Sequence, residues 1–525
     1  MEFQYPISLP IFIATLFFFF ISSIIILIVA RIGTFDHRSK NHPPQPWKLP
    51  IVGNMHHLLG EQPHRAFKNL AEKLGPIFQL QLGEISAVVI SSPLVAKEIM
   101  KTHDLSFADR PKLLCAEIIG YNSSTFAFSP YGNYWRQMRK ICVLELLSAK
   151  KVQSFQSIRE QESFILVEHV ALQRFKSINL SENIFVMINT IISRVAVGTT
   201  CKDQGTLIAL IKETINLASG FDVADLFPSI KLVHRISGMR NKLMKIHEKM
   251  DKILDNIISD HQERRGGGGG GLQINRENED LLDVLLRLKY DGGLEFPITY
   301  DNIKAVILEM ISAGTDTSSV TIEWAMSELI KNPRVMMKAQ SELREALKGK
   351  TKIQESDVQV LGYLKLVIKE TLRLHPPVPL LLPRENREKC EIGGYQIPIK
   401  SKVIINVWKI GRDPDNWVDP ESFVPERFLS DDESSMNKVE TDFGYLPFGA
   451  GRRMCPGMSL GLANVELPLA MLLYHFNWEL PNEAAFESLD MSESFGATLK
   501  RKNDLVLVPT PYKTIDSSLY FFYSY

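Results

Sequence analysis

One cysteine stands in a setting that could do chemistry. Cys455 lies in Phe448-Gly449-Ala450-Gly451-Arg452-Arg453-Met454-Cys455-Pro456-Gly457, a glycine-rich loop that runs directly into the apolar helical stretch Leu460–Phe476. Such a loop can aim several backbone N–H groups at the sulfur, and the following helix adds its positive end. Both favour thiolate over thiol. The other cysteines, Cys115, Cys142, Cys201 and Cys390, are widely spaced and form no C-x-x-C pair, so a disulfide framework and a zinc ribbon are both poorly supported. A reducing compartment with at most one special thiol fits better.

Three further patterns accompany the cysteine. Glu370 and Arg373 sit at i and i+3 on the helical run Leu364–Leu374, which His375-Pro376-Pro377 stops, so the two side chains can pair. Arg427 follows in Pro425-Glu426-Arg427-Phe428. A proline-free periodic run from Asp301 to Lys331 ends at Asn332-Pro333, and its roughly thirty residues would span about 45 Å. Its middle, Ala313-Gly314-Thr315-Asp316-Thr317-Ser318, is a poor choice for helix propensity. Small and hydroxyl residues there suit either a local widening that frees backbone carbonyls or a close helix crossing.

Phe448, Gly451, Arg453, Cys455 and Gly457 match F-x-x-G-x-R-x-C-x-G at every fixed position, the pattern of a heme-thiolate loop. With the patterns above, the chain resembles the cytochrome P450 family over essentially its whole length, to about Pro511. The resemblance implies a mainly α fold with small β-sheets and heme b (iron protoporphyrin IX) bound through Cys455 as the axial ligand of the iron. A thiolate ligand pushes electron density into O–O cleavage. Phe448, Gly449 and Gly457 would shape the cofactor loop, and Trp135, Arg139, Arg453 and, less directly, Arg384 and Arg110 would meet the heme propionates. Glu370, Arg373 and Arg427 would form a buried structural network. Thr317 would help deliver protons with Asp316 as its acidic neighbour, since an alcohol beside a carboxylate can hold water and relay protons.

The same resemblance places the substrate pocket among Leu113, Phe126, Ile311, Ala313, Val378, Leu380 and Phe495. These are apolar residues, which indicates a lipophilic substrate. Within the family the chain resembles the plant A-type branch, and most closely its terpenoid-hydroxylating group, which suggests a terpenoid. The chemistry implied is a monooxygenase using O2 and NADPH. The alternatives are a heme-thiolate protein that rearranges a pre-oxidised substrate without O2, or an alkaloid or phenolic oxidase. Thr317 favours the first, because relatives that rearrange tend to lose it. No G-x-G-x-x-G opens a helix after a strand, so electrons must come from another protein, by resemblance an NADPH–cytochrome P450 reductase. Lys140, Lys150, Lys151 and Arg452 are cationic candidates for that contact.

The elements that must position these residues follow from composition and pattern. The 525 residues are 45% hydrophobic and 23% charged, with 60 basic against 60 acidic side chains. This is a globular balance without the basic excess of a nucleic-acid binder. No charged residue falls between Glu2 and Arg31, and the stretch 7–32 is long enough to span a bilayer. The flanking Arg31, Arg38, Lys40 and Lys48 predict a single-pass anchor over 1–32 with the body in the cytosol and no glycan on Asn122 or Asn179, and the family resemblance implies the endoplasmic reticulum membrane. A proline-rich hinge over 33–60 reads as a semi-rigid spacer, followed by one catalytic domain over 61–511 and a tail over 512–525. Strands are expected at Ile77–Leu82, Ala87–Ile90 and Lys402–Val407, and helices at Met239–Gln262 and Leu281–Leu288. The six glycines Gly266–Gly271 read as a surface connection.

Overall fold

A 32-residue helix runs through the centre of the protein, begun by Thr299, whose hydroxyl accepts the Asn302 N–H in a capping box, and ended at Asn332. The computed structural model that contains it describes residues 41–264, 279–350, 352–429 and 443–512, together with Ser22. Apart from Ser22, the predicted anchor lies outside the described residues, as do the first part of the hinge, Gly266–Gly271 and the tail beyond Tyr512.

The helices that position the site are, in chain order, α1 (Asn133–Glu145), α2 (Leu180–Val197), α3 (Tyr300–Lys331), α4 (Gly362–Leu374) and α5 (Met458–His475). α3 packs against α2, α4 and α5, and the large helical core forms around these contacts. Gly314 explains how closely α3 approaches α2: a Cβ there would sit 2.9 Å from Ile192 Cδ1. Gly314 therefore serves the crossing. α3 is α-helical throughout, and four of its hydroxyls bond back along it: Ser312, Thr317, Ser319 and Thr321 donate to the carbonyls of Leu308, Ala313, Thr315 and Thr317 at 2.7–2.8 Å. No widening accompanies them. α2 is the one helix among the described residues long and apolar enough to cross a membrane, yet 67% of that window is buried inside the protein, which makes it a core helix.

Four short strands, β1 (Ile77–Leu82), β2 (Ile85–Ile90), β3 (Arg384–Glu385) and β4 (Lys402–Ile405), form one sheet in the order β1-β2-β4-β3. β1 and β2 are antiparallel with Ile77 opposite Ile90, and β2 runs parallel to β4 with Ala87 opposite Lys402. Alternation divides their side chains between two cores. Ile77, Val88, Ile90, Val403 and Ile405 pack on one face, and Phe78, Leu80, Val89 and Ile404 on the other. The last strand ends two residues earlier than the pattern predicts, because the Asn406 side chain accepts the Lys409 N–H and starts a helical turn at Val407. A hairpin of β5 (Glu493–Phe495) and β6 (Leu499–Arg501) closes one end of the cavity described below.

Over residues 41–60 the proline-rich stretch does not stand off as a spacer. Gln79 N–H donates to Pro44 O (2.9 Å), Gln396 N–H to Asn41 O (2.6 Å) and Asn54 N–H to Gln81 O (2.6 Å), so this segment is stitched to the sheets. Gly53 adopts φ +66° against Gln81 O, where any Cβ would collide at 2.0 Å.

Behind the site, Glu370, Arg373 and Arg427 form one network. Arg373 grips Glu370 with Nε and Nη2 at 2.7 and 2.8 Å, Arg427 Nε reaches the same carboxylate at 2.8 Å, and Val424 N–H donates to it at 2.8 Å. Arg373 Nη1 continues to the carbonyls of Gly411 and Pro420, both 2.6 Å, which pins the 411–424 loop to α4.

Candidate active site

Cys455 stands at the mouth of α5, at the end of a tightly folded loop. Its own N–H donates to Phe448 O (3.0 Å), Met454 N–H donates to Gly451 O (3.0 Å), and Gly449 and Gly451 take φ values of +66° and +72°. Gly451 has a second reason to lack a side chain, since a Cβ would lie 2.2 Å from Met100 O. Of the several N–H groups expected to face the sulfur, one does, from Gly457; the Cys455 and Met454 N–H groups are consumed inside the loop. Burial raises the Cys455 thiol pKa, while the Gly457 N–H and the Arg139 guanidinium pull it back down. What the thiol exposes faces a cavity of about 470 Å³.

One stripe of α3 faces the same cavity. From Ile303 to Ile330 every residue of the helix is buried except Ser312, Ala313, Gly314 and Thr317. Ala313, Asp316 and Thr317 all line the cavity. Thr317 donates to Ala313 O (2.8 Å) and is half-buried, whereas Asp316 is buried and its carboxylate accepts the Thr498 hydroxyl from the β5–β6 hairpin. Desolvation raises the Asp316 pKa, against the opposing effect of that hydrogen bond.

Leu113, Phe126, Ala313, Val378, Leu380 and Phe495 also line the cavity, as the sequence reading expects. Ile311 does not. It is 1% exposed and belongs to the helical core. Two residues along an α-helix turn the side chain through about 200°, so Ile311 and Ala313 cannot share a face.

Four guanidiniums, those of Arg110, Arg139, Arg384 and Arg453, line the cavity. Burial lowers all four pKa values, that of Arg453 to about 10, and repulsion from neighbouring guanidiniums adds to it at Arg110 and Arg453. Arg110 and Arg453 spend their donors on backbone carbonyls: Ala127, Leu382 and Pro383 at 2.8 Å for the first, Ala108, Phe126 and Ser129 at 2.7–3.2 Å for the second. Arg384 meets Asp104 (3.1 Å) and Ala450 O (2.8 Å). Arg139 has one carbonyl partner, Met454 O at 2.7 Å, and so keeps the most uncommitted N–H groups. Trp135 is off the cavity wall. Its indole N–H donates to Phe126 O (2.9 Å), and its ring lies 4.5 Å from the Arg453 guanidinium carbon and 5.4 Å from that of Arg139. It therefore supports two cations rather than offering its own donor to the cavity.

Heme b suits this donor set. A buried group of four guanidiniums calls for anionic partners, which two propionates supply. Phe448, Gly449 and Gly457 line the wall beside Cys455, leaving a thiol open to the cavity and no bulky side chain at either glycine.

Two charged cavity residues escaped the sequence reading. Glu309, one turn before Ala313, accepts the Phe126 and Ala127 N–H groups at 2.8 Å each and ties the 107–128 loop to α3. Burial pushes its pKa up to about 8 despite Arg110 and Arg453 nearby. A single acid inside the otherwise apolar run 305–311 was the available signal. Lys402, at the start of an otherwise apolar strand, is the other.

Helices crossing behind a cysteine-facing cavity, with cations on its wall, define an enzyme that encloses a large anionic cofactor. Residues 43–508 match the family model for cytochrome P450. The chain is 55% identical to germacrene A hydroxylase of Barnadesia spinosa, over 94% of this chain and 97% of that protein. It is 55% identical to premnaspirodiene oxygenase of Hyoscyamus muticus (91% and 94% covered) and 54% identical to amorpha-4,11-diene 12-monooxygenase of Artemisia annua (92% and 95%). A zebra fish cytochrome P450 solved with abiraterone superposes with a TM-score of 0.71 at 26% identity, covering 86% of this chain and 99% of that one. The chain belongs to the cytochrome P450 family. It is a monooxygenase whose cofactor is heme b, with O2 as co-substrate and electrons that derive from NADPH.

Proposed function

We propose that this protein hydroxylates a terpenoid hydrocarbon skeleton, and that Cys455 would bind the heme iron through its thiolate. The observation that carries the reading is the convergence on one apolar cavity of the Cys455 thiol, four guanidiniums and the Ala313–Thr317 stripe of α3. The terpenoid class rests on the relatives, whose names specify germacrene A, premnaspirodiene and amorpha-4,11-diene. The heme supplies dioxygen activation when bound, and the thiolate strengthens it.

The remaining work falls to the chain. Arg139, Arg453, Arg384 and Arg110 would hold the heme propionates. Apolar residues of the 107–128 and 378–382 segments and of the β5–β6 hairpin exclude water and orient the substrate. Thr317 Oγ1, rotating away from Ala313 O, presents a proton to the cavity. Asp316, with a raised pKa and its carboxylate fixed by Thr498, is the acid that replenishes it.

The protein takes its electrons from a membrane-bound NADPH–cytochrome P450 reductase, for which the exposed Lys140, Lys150 and Arg452 are cationic contacts; Lys151 is half-buried and donates to Glu279 O (3.2 Å). It sits at the endoplasmic reticulum membrane through the apolar run 7–32. Exposed Ile51, Val52, Leu232 and Ile236 support a membrane-facing side, because Gly83 and Glu84 link the two segments, to Val52 O at 3.2 Å and Leu226 O at 2.8 Å.

The test is the reduced, carbon-monoxide-bound spectrum of expressed membranes, followed by turnover of sesquiterpene hydrocarbons with added reductase. The wild type is expected to show the long-wavelength thiolate band, and Cys455→Ser to lose both band and turnover. Turnover without NADPH and O2 would refute the reading.

A further inference from the structure

Lys402 is out of place on the cavity wall. It opens β4 on the face it shares with Ile404, and both line the cavity. The residue is 6% exposed. Its Nζ donates to Gly220 O at 3.1 Å and forms no ion pair among the described residues, so an ammonium with three donors has one hydrogen-bond acceptor. Its antiparallel neighbour on β3 is Glu385, and the two are not ion-paired. Asp225 lends it a favourable field, but the carboxylate oxygen of Asp225 accepts the Leu114 N–H (2.8 Å). The rest of its surroundings are apolar: the Phe221 ring is centred 5.5 Å from Nζ, and the side chains of Leu113 and Ile404 also line this part of the cavity. A buried cation with unmet donors is costly, and a hydrocarbon filling that end leaves the cost in place.

We propose that Lys402 is a specificity-determining anchor, its Nζ donating to an oxygen already present on the substrate, a hydroxyl or carbonyl of an otherwise lipophilic molecule. The proposal rests on the monooxygenase reading above and extends it to the substrate class: the enzyme accepts a singly oxygenated terpenoid. A neutral oxygen fits better than a carboxylate, because Asp225 already supplies the negative charge on this side. Lys402 belongs to the sheet wall with Gly220 and Phe221, whereas Cys455 belongs to the loop wall of residues 447–465. An oxygen held by Lys402 thus leaves a different part of the skeleton to face Cys455.

The experiment uses the full chain in membranes, with a sesquiterpene hydrocarbon and the alcohol of the same skeleton as probes. Dissociation constants are measured by equilibrium dialysis in wild type, Lys402→Met and Lys402→Gln. A hydrogen bond from a charged donor corresponds to about ten- to hundredfold in affinity. Lys402→Met is expected to weaken the alcohol by at least about tenfold and to leave the hydrocarbon unchanged or tighter. If Lys402→Met does not fold, Lys402→Gln, which keeps an amide donor, is expected to show a smaller loss for the alcohol alone. Equal changes for both ligands would mean a structural lysine and overturn the proposal, as would a wild type that binds the alcohol no better than the hydrocarbon. The two readings fail separately: a wild type without the thiolate band contradicts the heme ligation, whereas an intact band with equal affinity changes contradicts the anchor.

Discussion

Replacing Glu370 with glutamine would test the network behind the heme loop. Glu370 is completely buried and accepts from Arg373 Nε and Nη2, Arg427 Nε and Val424 N–H, all within 2.8 Å. In Glu370→Gln one oxygen becomes an NH2 that faces guanidinium donors, and the countercharge for two arginines is lost. The backbone carbonyls of Gly411, Pro420 and Ser422 still hold Arg373, so the loss is of charge and of one side of the bidentate grip. Breaking one partner of a buried ion pair costs about 3–5 kcal/mol, a large share of the roughly 5–15 kcal/mol typical of a folded protein. Urea unfolding followed by tryptophan fluorescence would read it. Trp417 is a local reporter, its ring 5.2 Å from the Arg373 guanidinium carbon and 6.0 Å from that of Arg427. Glu426→Gln is the control. Glu426 pairs with Arg334 and Lys338, which are 63% and 47% exposed, and its loss is expected to cost less than about 1 kcal/mol. Loss of less than about 1 kcal/mol for Glu370→Gln as well would refute the claim that the network is a buried, mutually dependent unit.

Other outcomes are expected from the same geometry. Thr317→Ala should keep heme and fold but divert reducing equivalents to peroxide, measured as the ratio of NADPH consumed to product formed; full coupling would count against the relay. Gly314→Val should destabilise by about 1–3 kcal/mol through overpacking against Ile192, 2.9 Å from the new Cβ, and Ile192→Ala in the same chain should recover part of the loss. His475, held neutral by burial, has its pKa pushed down to about 4. The unfolded chain takes up that proton near pH 6.5, so it binds more protons than the folded protein between about pH 4 and 6.5, and stability rises with pH across that window. Acid unfolding of His475→Phe should accordingly show a shallower loss between pH 6.5 and 4, by up to about 3 kcal/mol; an unchanged slope would mean that His475 does not titrate differently in the two states.

The features that local chemistry dictates were open to reading in the chain. The Cys455 loop is such a case, because glycines at positive φ, a cysteine and a helix start within a dozen residues admit few arrangements. The Glu370–Arg373 pair follows from helix geometry, and the span of α3 from the absence of proline between Thr299 and Asn332. Even the error at Ile311 was local, since helix phase alone puts it on the opposite side from Ala313. Trp135 was different. Its indole could face a propionate or a carbonyl, and the choice depends on where Phe126 O lies, a matter of how the 107–128 loop returns over α1.

What folding alone decided is which distant segments share a wall. Lys402 and Gly220 meet across 182 positions, Glu309 and Phe126 across 183, and Asp316 and Thr498 across 182. No periodicity or motif encodes such pairs, because each depends on the packing of helices and on the register of a sheet rather than on neighbours along the chain. A lysine at the start of a strand reads as a solvated end until β4 is placed between β2 and β3, where the sheet turns that side chain into an apolar cavity. The Cys455 loop is thus written locally, while the residues that line the far walls of the cavity are brought together only by the fold.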